Sequence, residues 1–463
     1  MAGEPVVSTM SVIPADVETD KQPPMTVPLR HFVVGLGFLL AAAVVSVLDP
    51  LGVVPGQASL AHRHLLLAGW VCVTIAGAMT QFVPVWSGTT LHSERLARLQ
   101  LWLLTAGLVG FVVGLLFGLY DVLPVFGGLL LAGFWTLAYN VGRTLFGTRP
   151  WDVTERHFAV ALGFFLVVTT FGLLLAVGYT RPVLDGLPFD RSGLRTAHAT
   201  LAVFGVVLTT VFGALYQLGT MFTQSELHGV DAPLKRVEAV GYPLGVVVLA
   251  GGRLFGSPAV ARVGGLLVVA GLFAFGVVLA RRLVESTVEW NPMLRRYAVA
   301  AAAMLSWAVL TTPAWLADPT APSALFGAPS AASLLLFGVV GFVVLGTLYH
   351  VVPFIVWVDR YSDLLGLADV PMIDDLYDGR LARVDFVAIL SGTALLVAAE
   401  ALSLGSAPTL LGGSLWLVGV VTFVVNVASV IRRHSPEALL PSRLSGALGL
   451  RDGDDEAATD AAE

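Results

Sequence analysis

Three membrane-length apolar segments, spaced by about a third of the chain, end in almost the same five-residue phrase. The copies are Gly77-Ala-Met-Thr-Gln81, Gly213-Ala-Leu-Tyr-Gln217 and Gly346-Thr-Leu-Tyr-His350, so that their glycines recur at nearly equal intervals. If each copy lies on one helix of a four-helix unit, the chain forms twelve helices. The repeat therefore predicts an all-α integral membrane fold, a twelve-helix bundle with pseudo-threefold four-helix repeats.

Composition agrees with an integral membrane protein. The chain of 463 residues is 56% hydrophobic and 13% charged, whereas soluble domains have about 25% charged residues. Its apolar runs reach the ~20 residues that cross a bilayer. We predict helices over residues 31–49, 61–86, 96–118, 122–146, 157–179, 195–221, 236–254, 259–280, 296–316, 331–357, 384–404 and 408–431.

The two ends of the chain differ from this membrane region. The start is Pro-rich, and the tail contains the acidic run Arg451-Asp-Gly-Asp-Asp-Glu456; both compositions are typical of disorder. We predict a disordered N-terminus over residues 1–30, a membrane domain over 31–432 and an acidic tail over 433–463. The predicted N-terminal segment holds no apolar core, so we expect no cleavable signal peptide.

The basic residues predict the orientation in the membrane. With both termini on one side, 20 of the 26 Lys and Arg residues lie on that side. Such a bias is the positive-inside rule, so both termini are predicted to be cytoplasmic in a multi-pass protein of the cell membrane. The six basic residues on the outer side are Arg63, Arg181, Arg191, Arg195, Arg253 and Arg262.

Histidine recurs at two levels of the repeat. His62 and His198 precede the glycines of the first two copies by one common interval, and His92 and His228 follow those glycines by the same interval. The two levels are about 45 Å apart along a continuous helix that rises about 1.5 Å per residue. The first pair and His64 are therefore predicted at the outer ends of their helices. The second pair is predicted at the cytoplasmic rim.

The outer histidines favour a haem site. Imidazole is the usual axial ligand of haem iron, and a bis-His pair from two helices is a common electron-transfer arrangement. Arg63 and Arg195 flank these histidines, where a guanidinium can bind a haem propionate. We predict haem b bound by His198 and either His62 or His64. The alternative is that these are interfacial residues solvated by water and headgroups.

A further candidate cofactor-binding residue is His350. It replaces Gln81 and Gln217 at the matching position of the repeat, inside an apolar segment. Polar groups buried in a bilayer are costly and often functional; a Tyr–His hydrogen bond with Tyr349 in a packed core is the other interpretation. No role is assigned to three histidines at predicted helix ends: His31, His157 and His434.

The second predicted helix resembles that of the NnrS family, haem- and copper-associated membrane proteins linked to nitric oxide and denitrification. The matching residues are His62-Arg-His64-Leu, Gly69, Ile75-Ala-Gly77-Ala, Val83-Pro84 and Trp86-Ser-Gly88. This helix, the twelve-helix count and the threefold arrangement are also similar to subunit I of haem–copper oxidases, especially the cbb-type and nitric oxide reductase branch. The motif runs from His62 to Gly88, and the topology covers nearly the whole chain.

The oxidase resemblance implies roles for single residues. Its second helix supplies a haem histidine, here His62 or His64; its sixth supplies a copper ligand, here His198; and its tenth supplies haem ligands, here His350. The family's histidine pair on the seventh helix has no counterpart in residues 236–254. The resemblance therefore implies a degenerate centre that keeps one haem, with His198 as second axial ligand and without copper.

Three functions follow from these patterns. The leading prediction is haem-dependent electron transport or nitric oxide-related respiration, with cytochrome c or a cupredoxin as donor and oxidoreductase activity undecided. A haem-free transporter is the second, since twelve helices with repeats are also a transporter pattern. Against it, the carboxylates Asp49, Asp121, Asp385 and Glu400 all lie near predicted helix ends. The third is an active terminal oxidase or nitric oxide reductase. No pattern indicates nucleic-acid binding.

Overall fold

The computed structural model of the protein describes residues 21–439. In this part of the chain the named elements are all helical, and twelve helices are long and apolar enough to cross a membrane. They are α1 Thr26–Leu51, α2 Ala58–Trp86, α3 Glu94–Leu116, α4 Tyr120–Phe146, α5 Val153–Val177, α6 Arg191–Thr223, α7 Asp231–Leu254, α8 Pro258–Val284, α9 Pro292–Ala317, α10 Leu334–Leu364, α11 Gly379–Ala401 and α12 Ser406–His434. The predicted all-α fold with twelve membrane-length helices is confirmed.

Most helices begin a few residues earlier than predicted, because their first turns are polar. Helix α5 begins at Val153 because Asp152 caps it: the Asp152 carboxylate accepts from the amide of Glu155 at 2.9 Å, and the Glu155 carboxylate accepts from the amide of Asp152 at 3.0 Å. This reciprocal capping box satisfies two amides that begin the helix. Helix α1 begins at Thr26, inside the predicted N-terminal segment. Most of both predicted terminal segments, residues 1–20 and 440–463, lies outside the described residues.

Small residues allow neighbouring helices to pack closely. The most extensive contacts are between α3 and α4, α7 and α8, and α11 and α12. A Cβ added to Gly107, Gly245 or Gly392 would lie 2.9, 2.6 or 2.7 Å from an atom of the partner helix. Glycine at these contacts lets two backbones approach, which is how helices associate in a bilayer.

The repeated glycines have the same role in α2, α6 and α10. Each glycine lies against a polar residue near the start of the preceding helix, which is α1, α5 or α9. A side chain at the glycine would collide with that residue. The contacts, measured from an added Cβ to the Cβ of the neighbour, are Gly77 with His31 (2.6 Å), Gly213 with His157 (2.6 Å) and Gly346 with Arg296 (3.1 Å). The repeated phrase thus marks close helix packing.

These same three helices share a second local feature. Each contains a π-helical segment, at Leu65–Cys72, Leu201–Leu208 and Leu334–Gly341. The first residues of the three segments are spaced along the chain in the same way as Gly77, Gly213 and Gly346. A π-helical turn is wider than an α-helical one and is found frequently at functional sites. In α2 the segment begins directly after His64.

Candidate cofactor-binding cavity

A cavity of about 740 Å³ lies among α2, α4, α5 and α6, toward the ends where α2 and α6 begin. Its volume is within the ~300–1,000 Å³ of small-molecule sites. The wall is mostly apolar and includes Phe111, Phe134 and Phe165. Charged and polar side chains are few. They are Asp49, Gln57, Ser59, Arg63, His64, Thr169, Tyr179, Arg191, Arg195, Thr196 and His198.

His64 lines this cavity from α2. Its Nδ1 lies 2.9 Å from the carbonyl oxygen of Leu60, one turn earlier, and its ring lies 5.0 Å from that of Phe111. Since a carbonyl can only accept, Nδ1 carries the hydrogen in this contact and Nε2 keeps its lone pair. The ring is thereby held in one orientation, with the Nε2 lone pair available for coordination.

His198 enters the same cavity from α6 and is held in the same way. Its Nδ1 lies 2.9 Å from the carbonyl oxygen of Val168 on α5, so Nε2 again keeps its lone pair. The ring also requires Gly172, where an added Cβ would lie 3.0 Å from the imidazole Cε1. The structure therefore brings two fixed imidazoles, each with a free Nε2, to one cavity.

The mouth of the cavity is basic and partly aromatic. Arg63 and Arg195 line it and are exposed. Arg191 lies over the ring of Tyr179 at 4.5 Å, and the Tyr179 hydroxyl donates to the side-chain oxygen of Gln57 at 3.0 Å. Three guanidinium groups at the rim of an apolar cavity favour a ligand with an apolar body and acidic groups at one edge.

The structure separates other predicted site residues from this cavity. His62 does not line it, and its Nε2 is buried without a hydrogen-bond partner. His350 lies near the other end of the bundle, with its ring 4.0 Å from that of Phe222 and 5.8 Å from that of Phe354. The alternative Tyr–His hydrogen bond is wrong, because the Tyr349 hydroxyl donates to Asp385 instead.

The two rim histidines lie at the same end as His350. The ring of His92 packs on Tyr139 at 5.6 Å. Exposed His228 lies 2.8 Å from a carboxylate oxygen of Glu285, and this hydrogen bond lowers the pKa of the Glu285 carboxyl. Neither histidine lines the cavity, which agrees with the prediction of two separate levels.

Sequence reasoning missed part of the cavity wall. Arg191 was counted among the outer basic residues but was not assigned to the site, and Gln57 and Tyr179 carried no recognisable pattern. Within residues 21–439, no group of three or more His, Cys, Asp or Glu side chains is arranged to hold a metal ion. A porphyrin iron needs only axial ligands from the protein, and the His64–His198 pair with its basic mouth fits such a group.

The fold and the cavity together define a multi-pass helical membrane protein with a histidine-bearing apolar cavity at one end of its bundle. The chain matches no protein-family model, and no curated protein matches it. Its resemblance to the NnrS family and to the haem–copper oxidases therefore stays a prediction.

Proposed function

We propose that this chain is a haem-binding protein of the cell membrane, with haem b held between His64 and His198. The observation that carries the proposal is that both imidazoles line one cavity. Each has its Nδ1 at 2.9 Å from a backbone carbonyl, which fixes the ring and leaves Nε2 for coordination. Of the two alternatives on α2, the geometry favours His64 over His62.

Haem, when bound, supplies one-electron chemistry. The residues of the chain would supply the rest. His64 and His198 would hold the iron, and Arg63 and Arg195 would pair with the propionates, with Arg191 beside them at the mouth. The phenylalanines of the wall exclude water, and burial is one of the factors by which a protein sets the potential of haem. His350 lies outside this cavity and has no part in the proposed site.

Electron transfer, or nitric oxide-related respiration, is the activity that this arrangement supports best. An iron held by two histidines would suit electron transfer better than gas reduction. We infer that the donor is a small redox protein such as cytochrome c or a cupredoxin. It would dock at the predicted outer end, where the cavity and its three arginines lie.

We further propose that the bundle consists of three related four-helix units with both termini in the cytoplasm. The matching π-helical segments support this arrangement. So do the matching glycine contacts with residues of α1, α5 and α9. The orientation rests on the distribution of Lys and Arg.

Visible spectroscopy of the purified protein tests the haem proposal. The reduced protein should show the Soret and α bands of low-spin bis-His haem b. His64→Ala and His198→Ala should each lose this spectrum, whereas His62→Ala, which changes a histidine in the same turn of α2 as His64, is the matched control and should keep it. A normal low-spin spectrum in the His198 variant would remove that residue from the site. A colourless wild-type protein made with haem supplied would favour the transporter.

A further inference from the structure

The end of the bundle opposite the cavity contains three buried polar contacts at matching places. Each joins two odd-numbered helices of one four-helix unit, and every side chain involved is at most 3% exposed. The contacts are His31 Nε2 with Gln100 Nε2 at 3.2 Å (α1–α3), His157 Nε2 with Glu238 Oε1 at 2.9 Å (α5–α7), and Arg296 with Asp385 (α9–α11). His31 and His157, predicted to have no role at helix ends, are therefore buried and hydrogen-bonded.

The hydrogen bonds of the second contact require one proton more than a neutral imidazole and a carboxylate carry together. His157 Nδ1 lies 2.6 Å from the carbonyl oxygen of Val153, and its Nε2 lies 2.9 Å from Glu238 Oε1. A neutral imidazole has a single N–H, which the carbonyl already accepts. The second bond needs either a protonated imidazole or a protonated Glu238. In both cases the pair shares one proton and has no net charge.

The other two contacts have a different chemistry. Gln100 is an amide and offers His31 no acidic partner, while the guanidinium of Arg296 stays charged at any physiological pH. Of these three contacts, the His157–Glu238 pair alone joins an imidazole, which titrates near neutrality, to a carboxyl group. Tyr216, on α6, donates to the other carboxylate oxygen of Glu238 at 2.8 Å and completes the centre.

A second cavity, of about 150 Å³, lies near the start of α5. It is lined by Thr154 and Phe158, which flank His157 along α5, and by Gln217, which follows Tyr216 on α6. Asp152, Glu155 and Ser87 make its wall polar. A polar cavity of this size has room for several waters, since one needs only about 10–15 Å³ of such volume.

We propose that His157 and Glu238 form a proton-exchanging site that takes up one proton from water at the predicted cytoplasmic end. Uptake converts a neutral imidazole and a carboxylate into the pair that shares a proton, and release returns the proton to water. In the released state the single ring N–H can donate to Val153 or to Glu238 but not to both. This proposal does not depend on haem.

The surrounding charges are compatible with exchange. Lys235 lies 5.4 Å from the ring centroid of Tyr216, the residue whose hydroxyl binds Glu238. The carboxylate of Asp231 is paired with two arginines of α8, which offset its effect. The titratable and charged groups that face the pair from the neighbouring helices are Asp152, Tyr216, Asp231, Lys235, Tyr242, Arg281 and Arg282.

Infrared difference spectroscopy over about pH 5 to 8, the range in which histidine titrates, tests the site. Two variants imitate the contacts of the other units. Glu238→Gln gives a histidine–amide pair like that of His31 and Gln100, and His157→Arg gives an arginine–carboxylate pair like that of Arg296 and Asp385. The wild type should show a reversible imidazole–carboxyl change of one proton per protein. Both variants should lose it and still melt cooperatively, and His31→Gln, the matched control, should keep it.

One result would overturn this inference, and a second would exclude the small cavity as its route. Difference spectra that are identical in the wild type, Glu238→Gln and His157→Arg would show that the pair holds its proton permanently. The route through the small cavity is tested separately by Gln217→Leu, which should slow hydrogen–deuterium exchange of the carboxyl several-fold and leave the extent of the change intact. An unchanged exchange rate in that variant would exclude the cavity as the route.

Discussion

The guanidinium of Arg253 donates to the hydroxyl of Thr200 at 2.7 Å and so joins the end of α7 to the helix that carries His198. Its other donors bind backbone carbonyls of the segment between α9 and α10: Pro319 at 2.9 Å, Leu325 at 3.0 Å and Ala324 at 3.1 Å. Leu325 lines the large cavity. Arg253 is 4% exposed and therefore acts as a buried clamp between the cavity wall and the histidine helix.

Replacing Arg253 with Met should weaken this clamp. The carbonyls of Pro319 and Leu325 would lose this donor, at about 1–3 kcal/mol each, so the free energy of unfolding should fall by at least about 2 kcal/mol. The Ala324 carbonyl would still accept from the indole of Trp315 at 2.8 Å. Arg262 is the matched control, because it binds the carbonyls of Leu316 and Ala317 at a more accessible position. Arg262→Met should cost about 1 kcal/mol or less. Thermal melting in detergent measures both, and equal losses would contradict the clamp.

Gly172 should control the orientation of His198. A Val side chain there would displace the imidazole, whose Cε1 lies 3.0 Å from the position of an added Cβ. A ring moved ~30° off its rotamer costs about 0.5–1.5 kcal/mol, so haem affinity should fall roughly two- to tenfold. Gly163, on the same helix, has no atom within 4 Å of an added Cβ. Haem titration should therefore give Gly163→Val the wild-type affinity; a similar loss in both variants would contradict the role of Gly172.

Reporter fusions test the orientation of the bundle. Fusions after Val54 or Leu187 should report an external location, and fusions after Asp231 or Leu365 a cytoplasmic one. The physical reason is that cytoplasmic loops carry the excess of Lys and Arg. Concordant opposite results at all four points would reverse the topology and would place the mouth of the large cavity in the cytoplasm.

The helix count could be predicted from the sequence because apolar length is a local property. Twelve runs of membrane length are visible without any tertiary information. The exact starts are less visible, since the first turn of a helix such as α5 is polar and depends on the capping carboxylate of Asp152. Hydropathy identifies the part of a helix that crosses lipid, whereas side-chain capping decides where the helix begins.

The choice between His62 and His64 could not be made from the repeat. Spacing matches His62 with His198, yet His64 is the residue that lines the cavity with His198. Positions i and i+2 on a helix differ by about 200° in direction, so a histidine equivalent in sequence can face away from the site. The repeat therefore located the turn of α2 that borders the cavity but not the face that lines it.

The His157–Glu238 pair was missed for another reason. Its members are 81 residues apart, and each stands near the polar start of its helix, which looks solvated when read alone. The repeat did contain a signal: the tyrosines of the second and third copies, Tyr216 and Tyr349, donate to the buried carboxylates of Glu238 and Asp385. A buried hydroxyl needs an acceptor, so these tyrosines predicted polar partners nearby.

The repeated glycine of α6 should be required for stability. An Ala at Gly213 would place a methyl 2.6 Å from Cβ of His157, and overpacking of this kind costs about 1–3 kcal/mol. Gly219, on the same helix, has no atom within 4 Å of an added Cβ. Gly219→Ala should stabilise the helix by about 0.5–1 kcal/mol. The melting temperature should therefore fall in Gly213→Ala and rise in Gly219→Ala. An unchanged melting temperature in Gly213→Ala would contradict the close-packing role.

The chain alone should not reduce oxygen at the rate of an oxidase. That reaction, in the resembled enzymes, needs a second redox metal held beside haem by a set of histidines. Helices α6 and α7 contain one histidine, His198, and the proposed haem already uses it. His350 lies between the rings of Phe222 and Phe354, away from the large cavity. A single imidazole cannot make the ligand set by which copper is selected. Metal analysis and oxygen-electrode measurements with an artificial donor test this expectation, and stoichiometric copper with rapid oxygen consumption would restore the oxidase assignment.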